Sequence, residues 1–116
     1  MNKDVRLTVV FYREASGKEP VRDWLRSLDR TSKRTLGEDI KTVQFGWPLG
    51  MPLVRGLSGG LWEVRSRLRD TMARVIFIIE DGYMVLLHGF IKKSRATPKL
   101  DLDLARKRAT NVRNHD

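Results

Sequence analysis

A chain of 116 residues with 23 lysines and arginines against 14 acidic residues carries a formal charge of +9, a bias that in so small a body points to nucleic acid or an anionic membrane. The length suits one compact domain, residues 1–116, and leaves no room for a second. With no cysteine and only His88 and His115 as histidines, neither a disulfide scaffold nor a metal site nor a cofactor is expected, and apolar runs such as residues 75–79 and 84–87 fall far short of the about 20 residues that span a bilayer. No charged start followed by a long apolar stretch opens the chain, so a cytoplasmic protein is expected.

Residues 5–12 alternate Val5, Leu7, Val9 and Phe11 against Arg6, Thr8, Val10 and Tyr12, the period of two that marks a half-buried strand. After a turn at residues 15–18, Pro20 opens a helix whose Val21, Trp24, Leu25 and Leu28 share one face. Asp29, or Thr31 and Ser32 beyond it, caps a second helix with Leu36, Ile40 and Val43 turned inward and Gly46 at its end. The two make a helical hairpin. Residues 46–60, punctuated by Gly46, Pro48, Gly50, Pro52, Gly56, Gly59 and Gly60, read as an irregular connection. Trp47, Leu49, Met51 and Leu53 are too apolar to stay solvated, so this loop is expected to pack, and packed loops of such length are often functional.

Three strands follow. Residues 61–67 alternate Trp62 and Val64 inward against Glu63, Arg65 and Arg67, while residues 73–80 and 83–92 are joined by Asp81-Gly82, a two-residue hairpin signal. Thr97 caps the last helix, with Pro98 at its first position and Leu100, Leu104, Ala105, Ala109 and Val112 as a broad apolar face. Asp101 and Asp103 near its start, and Arg106, Lys107, Arg108 and Arg113 toward its end, complement the helix dipole. The order predicts an α+β fold: a mostly antiparallel four-stranded sheet with an N-terminal helical hairpin and a C-terminal helix.

With Asp81 and Gly82 alone in the loop, Glu80 faces Tyr83 and the register places Arg74 opposite Gly89. Arg74 then shares a face with Gly89, Ile91 and Lys93, while His88, Phe90 and Lys92 lie on the other with Val75 and Phe77. Glu63, Arg65 and Arg67 rise opposite the inward Trp62 and Val64, and Gly89 leaves the floor of the basic surface open. A bulge near Gly89 reverses part of this arrangement.

The segments Leu57-Ser58-Gly59-Gly60-Leu61-Trp62-Glu63-Val64-Arg65, Ala73-Arg74-Val75-Ile76-Phe77 and His88-Gly89-Phe90-Ile91-Lys92-Lys93-Ser94 resemble the core of the RelE/HigB superfamily of toxins, in its phage-derived HigB-like branch. YREASGKEPVRDWL, EDIKTVQFGWPLGMPLVR and TPKLDLDLARKR are similar to that branch too, so the likeness covers nearly the whole chain. The resemblance implies a RelE-like fold and the toxin of a type II toxin–antitoxin system. Such a toxin is a metal-independent endoribonuclease that cuts mRNA on the ribosome and is silenced by a helix-turn-helix antitoxin. Matched by position, the basic catalytic residues of RelE-type members fall on Glu63, Arg65, Arg74 and Lys93. Glu63 stands where RelE has lysine, and the C-terminal tyrosine of RelE has no counterpart after Lys93.

Metal-free cleavage of RNA can use the neighbouring 2′-hydroxyl as nucleophile, so one proton is taken, another given, and an anionic phosphorane stabilised. Arg65 and Arg74 suit the phosphate clamp, because a guanidinium bonds two oxygens at once and keeps its charge. Lys93 shares that load or donates the proton. Glu63 is a candidate general base, and its alternative, an ion pair with Arg65 or Arg74, is the preferred role. Lys92, Arg67 and Arg95, with Lys99, are expected to hold RNA by charge, and Trp47, in the packed loop, is the better aromatic candidate for stacking a base. Trp62, Phe77 and Phe90 read as core, and His88 as a structural residue beside Val75 and Phe77 rather than a proton shuttle. Arg74→Ala is expected to abolish cutting and leave the fold intact.

Two other functions fit the same charge: a basic regulator that holds RNA or DNA and cleaves nothing, and an inert relative kept as an interaction partner. An antitoxin could cover the cationic groove or meet Arg22 and Arg26 on the helical hairpin with acidic groups.

Overall fold

The computed structural model of the chain describes residues 6–93 and 97–114. The alternating segment near the N-terminus forms β1 (Thr8–Phe11), which sends Val9 and Phe11 to one core and Val10, with Tyr12 just past the strand, to another; Val5 lies outside the described residues. Pro20 occupies the first turn of α1 (Pro20–Ser27), where its missing N–H costs nothing. Asp29 then caps α2 (Arg30–Gly46) by accepting a hydrogen bond from the Ser32 N–H at 3.3 Å. Val21 of α1 and Leu36, Ile40 and Val43 of α2 are buried, as their helical spacing requires.

The remaining elements are β2 (Val54–Gly56), a 3₁₀ turn (Ser58–Gly60), β3 (Trp62–Arg67), β4 (Met72–Glu80), β5 (Tyr83–Lys92) and α3 (Lys99–Arg113). The sheet has five strands in the order β1-β5-β4-β3-β2, with β1 parallel to β5 and the other pairs antiparallel, instead of four mostly antiparallel strands. The fifth strand comes from the supposedly irregular connection. Val54, Arg55 and Gly56 pair with Val64, Glu63 and Trp62, a run too short and too close to proline and glycine to carry a period-two signal.

Asp81 (φ 49°) and Gly82 (φ 81°) form the expected two-residue turn, so Glu80 faces Tyr83. That register holds only as far as Phe77 opposite Leu86. Ile76 is then opposite His88, so Leu87 is an extra residue on β5 and the strand is bulged there. Arg108 of α3 donates from Nη1 to the Leu87 carbonyl at 2.8 Å and so satisfies a group at the irregularity. Past the bulge every partner is displaced by one: Arg74 faces Phe90, not Gly89. Gly89 belongs to the opposite face, where a Cβ would lie 2.3 Å from the Trp24 ring, so it admits α1 to the sheet and does not open the floor of a basic surface.

Both sheet faces are covered, unequally. On one, α1 and α2 bury Val64, Val75, Phe77, Met84 and Leu86. On the other, α3 packs Leu102, Ala105, Ala109 and Val112 against a cluster with Ile76, Ile78, Val85 and Leu87. Ala105, Ala109 and Val112 of the expected stripe do pack on the sheet, but Leu100 is 83% exposed and Leu102 packs instead, and the two alanines let the helix approach the sheet closely. Thr97 does not cap α3; Pro98 takes the N-cap position, and the Thr97 hydroxyl is used elsewhere. Among the described residues no helix is long and apolar enough to cross a membrane.

Candidate functional site

The apolar cover provided by α3 reaches Phe90, and beyond it the same sheet face becomes cationic. Because Trp62 and Val64 pack toward α1 and α2, Glu63, Arg65 and Arg67 of β3 must point the other way. Strand pairing then lays out three cross-strand rows. Arg55, Glu63, Ile76 and His88 form the first, Arg65, Arg74 and Phe90 the second, and Arg67, Met72 and Lys92 the third. Arg65 and Arg74 are direct cross-strand partners, an arrangement of like charges that costs stability unless an anion sits near.

One carboxylate supplies part of that compensation. Glu63 is fully buried and Arg74 is 2% exposed, with Arg74 Nε 3.6 Å from Glu63 Oε2. Thr97 donates its hydroxyl to Glu63 Oε1 at 3.2 Å, fixing the carboxylate from the start of α3. The separation of 3.6 Å is an ion pair without a hydrogen bond. Arg74 Nε and Nη1, Arg65 Nε and Glu63 Oε2 are all buried and lack a hydrogen-bond partner among the described residues, so unsatisfied polar atoms concentrate at this cluster. Arg65 also donates from Nη1 to Met51 Sδ at 3.2 Å and reaches the Pro52 carbonyl at 3.5 Å.

Charge crowding is felt by the bases themselves. Burial pushes the Arg74 guanidinium below its ordinary range, Glu63 opposes that, and Arg65 and Arg55 add to it. Lys92, 9% exposed, is likewise held below the ordinary lysine value, first by burial and then by the Arg74 charge, with smaller contributions from Arg55 and Arg65 against the opposing pull of Glu63. Four cations thus surround one carboxylate, and the cluster keeps a net positive charge. Concavity alone does not mark this place. A groove beside β1 lined by Tyr12, Glu80, Tyr83 and Arg113, and another lined by Asp29, Ser32, Arg67 and Thr71, hold neither Arg65 nor Arg74.

Residues 23–110 match the family described as phage derived protein Gp49-like (DUF891), and the match contains every residue of the three rows. The chain belongs to this phage-derived Gp49-like family. The family is toxin-like and related to RelE and HigB, and the α+β architecture is compatible with a RelE-like fold in general. None of the curated proteins compared matches the chain.

In this Gp49-like chain Glu63, Arg65 and Arg74 come together as the sequence suggested, and Glu63 takes the ion-pair role with Arg74. Lys93 does not join them. The bulge gives the place beside Arg74 to Lys92, and Lys93 is exposed past the end of β5. Arg67 is exposed in the third row, and Arg95 lies outside the described residues. Trp47 is not a surface stacking group: its ring meets Trp62 edge-on at 5.1 Å and Phe77 at 5.6 Å, and it packs against the core under α2.

His88 is displaced by the same slip. It lies on the α3 side in place of packing beside Val75 and Phe77, with Nε2 2.6 Å from Asp101 Oδ1 and its ring stacked on Phe90 at 5.5 Å. The sequence reading missed Asp101 as its partner, Thr97 as the support of Glu63, Arg55 as a fourth cation and Met51 as the contact of Arg65. Asp101 and Thr97 carried ordinary helix-start signals that concealed these contacts, and Arg55 lies in a strand of three residues.

Proposed function

We propose that this Gp49-like protein is the toxin of a type II toxin–antitoxin pair, of the HigB-like kind: an endoribonuclease that cleaves mRNA on the ribosome through its own side chains and is silenced by a helix-turn-helix antitoxin. The observation that carries the reading is the direct pairing of Arg65 with Arg74, both bearing buried N–H groups without partners among the described residues, beside Lys92 and Arg55. The partly exposed Arg65 is where a phosphate can approach, while the Arg74 donors, closed off from solvent, act on it by charge alone.

In this mechanism the 2′-oxygen attacks the adjacent phosphorus and the bond from phosphorus to the 5′-oxygen breaks, leaving a 2′,3′-cyclic phosphate and a 5′-hydroxyl. Arg65, the more exposed guanidinium, meets the phosphate, and Arg74 supplies positive charge from beneath, where low dielectric strengthens it. The proton of the 2′-hydroxyl leaves to water, and Lys92, rather than Lys93, gives a proton to the departing 5′-oxygen. Glu63 is a positioning residue: buried and bonded by Thr97, it orients Arg74 and is withdrawn from use as a base.

The test is induced expression with transcript ends mapped, comparing the parent chain with Arg65→Ala. Arg65 is a better choice than Arg74, whose removal strands a buried carboxylate. New 5′-hydroxyl ends that vanish in the variant, and growth arrest relieved by a neighbouring helix-turn-helix gene, support the toxin. Intact transcripts and harmless expression favour a non-catalytic RNA-binding regulator or an inert relative, the readings to which the buried Glu63 lends weight.

A further inference from the structure

The loop between α2 and β2 contains four apolar residues at alternate positions, and three of them pack: Trp47, Leu49 and Leu53 join the core that α1 and α2 cover. Met51 is left out. It is 61% exposed, on a segment anchored on both sides and stiffened by Pro48 and Pro52. Phe45, Tyr83 and Leu100 are the other large apolar side chains that stand exposed among the described residues, and of the four Met51 reaches the cationic rows, through its sulfur at 3.2 Å from Arg65 Nη1.

Resting on the nuclease reading above, we propose that Met51 is the base-contacting residue of a nucleotide subsite in single-stranded RNA, with Arg65 between it and the phosphate. A nucleotide joins an anionic group to a flat apolar ring, and here a guanidinium with a buried unsatisfied N–H adjoins an exposed thioether on a rigid arm. Methionine sulfur and its methyl group are polarizable and pack well on aromatic faces, and every base offers such a face regardless of sequence. Unstacked single strands present their bases to such a contact and paired strands do not. An exposed apolar side chain next to a phosphate clamp thereby selects for single-stranded substrate.

The experiment measures binding of a 2′-O-methylated RNA oligonucleotide, which cannot cyclise, and of an abasic oligonucleotide of the same length, by fluorescence anisotropy. Met51→Ala weakens the base-bearing probe roughly two- to tenfold and leaves the abasic probe unchanged. Met51→Leu, which keeps the apolar body and loses the sulfur, binds both probes as the parent does. Equal affinities for parent and Met51→Ala on both probes overturn the inference and leave a protein-facing role for Met51. Equal losses on both probes overturn it as well, since they assign Met51 to holding Arg65. A parent chain that binds neither probe, free or on ribosomes, overturns the subsite and leaves the nuclease reading to the transcript-end test, whereas one that binds both and discriminates through Met51, yet never cuts, retains the subsite alone.

Discussion

Arg74 and Glu63 face each other at 3.6 Å with both side chains buried, although in the strand register Glu63 lies opposite Ile76 and Arg74 opposite Arg65. The ion pair is therefore diagonal, and the direct partner of each charge is something else. This geometry balances one guanidinium while leaving N–H groups of the cluster without a hydrogen-bond partner among the described residues.

Glu63→Leu and Arg74→Met should each lower stability by about 3–5 kcal/mol, because either change leaves an opposite charge buried without its partner. Glu63→Leu is the costlier, since Arg55, Arg65, Arg74 and Lys92 then face one another with no carboxylate among them. The double variant should lose less than Glu63→Leu alone. Urea unfolding of the four proteins measures this, and strictly additive losses would contradict the pairing.

Lys92→Met should reduce cleavage about a hundredfold or more, the scale of a lost proton donor, and Lys93→Met by less than about threefold. Single-turnover cleavage of a short RNA, on ribosomes if naked RNA is resistant, separates the two. A larger effect at Lys93 would return the site to the unbulged register.

Lys92 also makes stability depend on pH. Its folded-state value lies below 10.5, so between that lowered value and 10.5 the unfolded chain holds a proton that the folded one has released. Stability from this group therefore rises with pH through the window, and below it the buried charge is a constant cost. Lys92→Met should be more stable than the parent at neutral pH, with the gap narrowing as the solution approaches pH 10.5. Denaturant midpoints at a series of pH values give the trend; a gap that widens toward alkali contradicts it.

His88 and Asp101 tie β5 to the first turn of α3, next to the Thr97 contact on Glu63. In a double-mutant cycle with His88→Ala and Asp101→Ala the coupling should be about 1–3 kcal/mol. A coupling indistinguishable from zero would mean that the 2.6 Å contact does not stabilise the fold.

Gly89→Ala should cost about 1–3 kcal/mol by overpacking against the Trp24 ring, and should become nearly neutral in a Trp24→Leu background. Thermal melts of the single and double variants decide it. If alanine is tolerated beside Trp24, the glycine has some other role.

The two N-terminal helices, the Asp29 cap, the Asp81-Gly82 turn and the inward faces of α2 and β3 were all legible, because each depends on residues within a few positions of one another. So was the union of Glu63, Arg65 and Arg74: β3 alternates without interruption, and the pairing of β3 with β4 is regular from Trp62 to Arg67. The parallel edge position of β1 was not legible, since Thr8–Phe11 pairs with Tyr83–Leu86 across most of the chain and alternation names no partner.

The exchange of Lys93 for Lys92, and the arrival of His88 on the α3 side, turn on one extra residue at Leu87. Glycine at position 89 drew attention to a bulge two residues away from where it formed, and for a different reason: Gly89 makes room for Trp24. The amino-acid order by itself settled the charge, the helices, the tight turn and the cations that β3 and β4 offer. Tertiary structure alone decided which face of β5 joins them, because a strand alternates sides at every residue and a bulge, stabilised by Arg108 from a helix 21 residues away, inverts all that follows.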